Sequence, residues 1–145
     1  MKYTNTIEIN LPRNRVIELF DNPDNMKHWQ PGLISFTHQS GQPGQVGAKS
    51  VLKYKTGKRE VEMIETVLKR DLPHEFSGTY EMQGVFNAIQ NYFREQSPEV
   101  TVWESQSEFT FKGLMRFLAP LMKNSFKKQS LDFMQRFKSF AEANG

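Results

Sequence analysis

The sequence predicts an α+β fold in which a curved antiparallel sheet of six or seven strands wraps a long C-terminal helix. Three observations lead there. Segments of alternating apolar and polar residues, separated by turn signals, fill residues 33–111. One further alternating segment stands near the N-terminus, set apart by two short helical patterns. The last thirty-odd residues carry a single helical pattern, with apolar side chains mostly at three- and four-residue steps.

The elements follow in order. TNTIEINL puts Ile7, Ile9 and Leu11 on one face and reads as a half-buried strand. Pro12 suits the first turn of a helix, and Val16, Ile17, Leu19 and Phe20 give PRNRVIELF an amphipathic pattern. Asn22-Pro23 interrupts it, and Asn22 or Asp24 is placed to cap the next turn. NMKHWQPG supplies a second short helix, ended by Pro31-Gly32. LISFTHQ then starts the strand region, and GQPGQVG is a loop. AKSVLKYK and REVEMIETVLKR flank the hairpin signal Thr56-Gly57. Leu72-Pro73 marks the following turn. HEFSGTYEM and VFNAIQNYFRE flank Gln83-Gly84, and residues 97–99 turn into VTVWESQSEFTF, which Gly113 ends. Leu114, Phe117, Leu118, Leu121, Phe126, Phe133, Phe137 and Phe140 define the closing helix, with a kink or late start expected at Pro120. Successive strands joined by short turns are antiparallel neighbours. A helix with an apolar stripe must cover one sheet face, and a strongly twisted sheet curls round it.

The bulk numbers narrow the class. At 145 residues the chain can build one substantial core, and a single domain over 1–145 is expected. A 37% hydrophobic and 24% charged composition fits a folded chain rather than a disordered one. Twelve phenylalanines point to a wide aromatic interior. With no cysteine, disulfides, thiolate catalysis and zinc–thiolate sites are excluded. MKYTNTIEIN reads as a strand rather than a signal sequence, and no run of 18 apolar residues is present; a cytoplasmic protein is expected. The formal charge is +3, unevenly placed. Lys112, Arg116, Lys123, Lys127, Lys128, Arg136 and Lys138 face only Asp132 within residues 112–138, and a second basic group occupies KYKTGKR at 53–59.

Alternation also assigns inward faces. They are Val61, Met63, Glu65 and Val67; Phe76, Gly78, Tyr80 and Met82; Val85, Asn87, Ile89, Asn91 and Phe93; and Trp103, Ser105, Ser107, Phe109 and Phe111. Glu75, Ser77, Thr79 and Glu81 then point outward. The helix adds Leu118, Leu121, Met122, Phe126 and Phe133. Asn87, Asn91, Ser105 and Ser107 stand among aromatic neighbours. They read either as polar points in a mostly apolar pocket or as core groups satisfied by bound water. Glu65 on this face would be a desolvated carboxyl and an acid or base, unless a bulge or strand end sends it to solvent.

Several pieces resemble the START-like superfamily, the polyketide cyclase/dehydrase and lipid-transport group. They are the strand leading into LPRNRVIELFDNPDNMKHWQPGL, the D-x-P turn in DLPHEFSG, and the closing GLMRFLAPLMKNSFKKQSLDFMQRFKSFAE. The resemblance implies a helix-grip fold with a cavity between sheet and final helix, and it places Met26, His28 and Trp29 near the mouth. It implies binding of a hydrophobic or amphipathic small molecule, lipid- or polyketide-like. The alternatives are a cofactor-free cyclase or dehydratase, with Glu65, Tyr80 or His28 as its acid or base, and a module that meets a partner or membrane surface through its basic groups. The expected cavity residues are Trp29, Met63, Glu65, Phe76, Tyr80, Met82, Asn87, Ile89, Asn91, Trp103, Ser105, Ser107, Phe109, Leu118, Met122, Phe126 and Phe133.

Recognised catalytic patterns are missing. His28, His38 and His74 lie far apart in sequence, and neither H-E-x-x-H nor G-x-S-x-G occurs. GQPGQVG lacks the Lys-Ser/Thr of a phosphate loop. No catalytic residue, metal ligand or cofactor is assigned. The expected partner is an apolar or amphipathic ligand, with no nucleic acid and at most weak contact with anionic membranes.

Overall fold

The computed structural model describes residues 1–145. Seven strands form one antiparallel sheet: β1 Lys2–Ile9, β2 Leu33–Ser40, β3 Lys49–Thr56, β4 Arg59–Asp71, β5 Glu75–Met82, β6 Val85–Ser97 and β7 Val100–Phe111. Their order across the sheet is β1-β7-β6-β5-β4-β3-β2. Strands β2 to β7 are therefore a meander of hairpins, and β1 closes the far edge against β7. Two hairpins are two-residue turns, Gly57-Lys58 and Gln83-Gly84, and both glycines adopt the positive φ (63° and 76°) that such turns demand.

Helices α1 (Arg13–Phe20) and α2 (Met26–Trp29) connect β1 to β2. Pro12 precedes the first helical residue, and the Asn22 side chain accepts a hydrogen bond from the Asp24 N–H at 3.0 Å to start the intervening 3₁₀ turn. After β7, a short helix α3 (Met115–Leu118) and a 3₁₀ turn (Ala119–Met122) precede the long helix α4, Lys123–Ala143. The interruption falls at Pro120, where the ring removes a helix hydrogen bond and the regular helix has to restart.

Helix α4 lies along β1. The Asn5 side chain donates to the Lys127 carbonyl, Lys138 Nζ donates to the Glu8 carbonyl, and the Tyr3 and Ser130 hydroxyls share a hydrogen bond at 2.7 Å. The core sits at the α1–α2 end, where Ile9, Val16, Leu19, Trp29, Phe93, Trp103, Met134, Phe137 and Ala141 cluster. Phe137 is its centre, with ring centroids 5.3 Å from Trp29 and 5.4 Å from Trp103. This aromatic plug fills only one end of the space that sheet and helix enclose.

The outward assignment of β5 needs one refinement. Glu75, Ser77 and Thr79 are on the convex face yet buried. Small side chains on the middle strand sit between longer ones: Ser77 pairs with Lys69 and Gln90, and Lys69 reaches Glu75 at 3.0 Å. Outward direction on a central strand does not ensure exposure.

Candidate functional site

Strand register stacks the concave side chains in rows. Ile7, Trp103 and Phe93 form the row over the aromatic core. Next come Asn5, Ser105, Asn91 and Phe76, then Tyr3, Ser107, Ile89, Gly78 and Val67. Phe109, Asn87, Tyr80, Glu65 and Ser50 follow. Large rings at both ends and small groups between them leave the middle rows hollow. The result is a cavity of about 430 Å³, roofed by Phe126, Gln129, Ser130, Phe133 and Met134 of α4. Phe20, Trp29, Gln30 and Pro31 close the core end, and Tyr54 and Thr56 close the β3 side. Of its 23 lining residues, 15 are hydrophobic and none carries a formal charge, so the wall is apolar with isolated polar points.

Those points are oriented. Asn91 Oδ1 accepts from the Trp103 indole N–H at 2.9 Å, which leaves the Asn91 amide N–H groups as donors. Asn87 donates to Ser107 Oγ and to the Glu108 carbonyl, both at 3.2 Å, and keeps its own carbonyl oxygen as an acceptor. Tyr80 donates to Glu65 at 2.8 Å, so its phenol oxygen offers acceptor lone pairs. Tyr54 donates to Gln30 Oε1. The Trp29 indole N–H is buried without a partner and has no surface of its own open to the cavity.

Glu65 is buried behind Tyr80, with no cation beside it. Burial pushes its carboxyl above the usual range, and the hydrogen bond from Tyr80 offsets part of that rise. Burial, and then the Glu65 charge, push the Tyr80 and Tyr54 phenols up in turn. Three titratable groups thus gather at one end of an apolar space.

The structure brings together Trp29, Met63, Tyr80, Met82, Asn87, Ile89, Asn91, Trp103, Ser105, Phe109, Phe126 and Phe133 on the cavity wall. It places five other expected residues elsewhere. Phe76 is turned edge-on to Phe20, with centroids 6.1 Å apart. Ser107 is buried behind Asn87, and Glu65 behind Tyr80. Leu118 and Met122 are exposed, as is Leu121: in the broken turns before Lys123 the side chain that packs inward is Ala119, and the regular helix begins only afterwards. Glu65 stays inside because β4 pairs regularly with β3 and β5 there and its irregularity falls later, between Val67 and Lys69.

Tyr3, Phe20, Gln30, Tyr54, Gln129 and Ser130 line the cavity without having been anticipated. Tyr3 and Tyr54 lie in phase with Ile7 and Leu52 along their strands, a signal that alternation could have supplied. Gln129 and Ser130 interrupt the apolar stripe of α4, and no periodic pattern marks them.

The other expected features separate as follows. No group of three or more His, Asp or Glu side chains is placed to hold a metal ion. No helix is long and apolar enough to cross a membrane. The basic group at 53–59 is balanced in part, since Lys53 reaches Glu62 at 3.8 Å and Lys55 pairs in register with Glu60. In the second group Arg136 and Lys138 pair with Asp132 and Glu142.

A gripped helix, a seven-stranded curved sheet and an apolar hollow with oriented polar points define a helix-grip protein. The chain belongs to the polyketide cyclase/dehydrase and lipid transport family, whose model matches residues 1–142. Comparison with curated protein sequences gives no match. Among solved structures, the chain is similar to a START superfamily protein from Mycobacterium smegmatis at 9% identity and a TM-score of 0.83, covering 99% of each chain. It is similar to the Zhui aromatase/cyclase from a Streptomyces species at 9% identity and a TM-score of 0.82, covering 98% of this chain and 93% of that one. It also resembles norcoclaurine synthase from Thalictrum flavum, solved in complex with dopamine and hydroxybenzaldehyde, at 15% identity and a TM-score of 0.72, covering 100% and 88%. At such identities the likeness concerns the fold.

Proposed function

We propose that the protein binds one apolar or amphipathic small molecule in the cavity between the sheet and α4. The observation that carries this reading is the wall itself: about 430 Å³ of space with 15 hydrophobic lining residues and a few polar groups left with free valences. That volume lies in the range of small-molecule sites, about 300–1,000 Å³. Burial supplies the affinity, at roughly 25 cal/mol per Å² of apolar area.

The polar points select within that class. Tyr80 and Asn87, adjacent on the sheet, offer acceptors, so the ligand presents a hydroxyl or N–H there. The Asn91 N–H groups suit an acceptor towards the core end. A hydroxylated ring system or a lipid alcohol meets both requirements. A ligand carboxylate beside Glu65 is disfavoured by charge. Native mass spectrometry of the purified protein, followed by extraction of any adduct, tests this. A protein that carries nothing and takes up no neutral apolar probe overturns it.

A second reading rests on one specific observation. A buried carboxyl with a raised pKa, joined to a cavity phenol, is the arrangement of an acid–base pair. On this reading the bound molecule is a substrate for cyclisation or dehydration, and Glu65 moves a proton through Tyr80. Glu65→Gln separates the two: it retains ligand in both cases and abolishes turnover only in the second.

A further inference from the structure

Five large apolar side chains cluster in one exposed stretch. Leu114, Phe117 and Leu121 are 80%, 72% and 84% exposed, and Leu118 and Met122 stand beside them in sequence at 52% and 40%. Scattered exposed leucines are ordinary, but a run this dense marks a contact surface. The same stretch is cationic. Lys112, Arg116, Lys123, Lys127 and Lys128 enter no ion pair, and no acidic residue occurs between Glu108 and Asp132.

We infer that residues 112–128 form a docking surface for an anionic lipid bilayer, with the apolar side chains entering the headgroup boundary and the cations meeting lipid phosphates. Exposed Leu and Phe interleaved with unpaired Lys and Arg is the chemistry such a boundary accepts. A second copy of this chain fits poorly, because the stretch holds cations and no acidic residue, so a two-fold contact would bring like charges together. A purely polyanionic partner leaves the leucines without a role.

The surface borders the cavity. The Lys112 N–H donates to the Gly84 carbonyl, which ties the start of the stretch to the turn between Met82 and Val85, two residues of the cavity wall. Phe126, on the first turns of α4, stacks on Phe109 at 5.2 Å and also lines the cavity. Docking would hold this end of the cavity against the bilayer, so that an apolar ligand enters or leaves without crossing water. Vesicle binding needs no cavity occupant, so its failure would leave the ligand reading standing.

The test is flotation of the purified protein with vesicles of phosphatidylcholine alone and of phosphatidylcholine mixed with phosphatidylserine. Binding is expected only to the mixed vesicles and is expected to weaken with salt. Arg116→Gln and Lys123→Gln should each reduce partitioning about fivefold. The double change Phe117→Ser and Leu121→Ser should reduce it about tenfold or more. All four positions are exposed, so unchanged melting curves confirm that the fold is intact. A Phe117→Trp variant should show a blue-shifted emission on the mixed vesicles. Absence of flotation, equal binding to both lipids, or loss only on removing charge would each overturn the inference. So would concentration-dependent self-association that the serine changes abolish.

Discussion

Replacing Phe137 and Ile89 by alanine, one at a time, measures where packed core ends and empty space begins. Phe137 is fully buried, with ring centroids 5.3 Å from Trp29, 5.4 Å from Trp103 and 6.0 Å from Phe20. Truncating a buried Phe costs about 3–5 kcal/mol, and loss of these ring pairs puts Phe137→Ala near the top, at roughly 4–5 kcal/mol. For a chain of this size that lowers Tm by roughly 12–18 °C. Ile89 pairs across the strands with Gly78 and Ser107 and borders the cavity. Its removal enlarges a hollow that already exists, so only part of the transfer term is lost. Ile89→Ala is expected to cost roughly 1–2 kcal/mol, below the usual range of about 2–5 for such a truncation. Urea denaturation followed by tryptophan fluorescence and circular dichroism reads both values. Equal costs, within about 1 kcal/mol, would mean that the space beside Ile89 is as full as the aromatic cluster, and the cavity argument would fail.

Two further outcomes follow from the polar points. In the unfolded chain Glu65 ionises in the usual carboxylate range, whereas burial raises its pKa in the fold. Between the two values the folded protein holds a proton that the unfolded chain has released, so this group's contribution falls as pH rises through that window. Glu65→Gln should therefore melt higher than the parent at neutral and alkaline pH, with the gap closing as pH drops below the carboxylate range. A gap that widens in acid would contradict the assignment. Asn91→Ala strands the Trp103 indole N–H, which Asn91 Oδ1 now accepts at 2.9 Å, and should cost about 1–3 kcal/mol by urea denaturation. A neutral result would mean that this bond is not needed.

Much of this architecture is legible in the residue pattern because alternation and turn chemistry are local. The faces of β4, β5, β6 and β7 follow from period two alone, and Gly57 and Gly84 mark their turns through the positive φ that only they adopt freely. Hydrophobic periodicity misplaces Leu118, Leu121 and Met122, because it registers that a residue is apolar and not which side of the broken turns around Pro120 faces inward. Pro120 signals the break but not the direction of the chain before it. Glu65 shows the opposite limit. A carboxylate on an inward face looks like a register error until the phenol of Tyr80, fifteen residues away and on the next strand, is seen to meet it. Gln129 and Ser130 line the cavity through the curvature of the sheet, which no local pattern encodes.

The claim beneath all of this is that the hollow over Ile89 admits a ligand. A fluorescence titration with phenylnaphthylamine, neutral and carrying one N–H, measures it directly when run on the parent and on an Ile89→Trp variant. The parent should bind saturably at one site per chain, and the variant, its indole occupying the space, should keep its melting temperature and lose the binding. Undiminished binding by the variant would place the probe elsewhere and contradict the account.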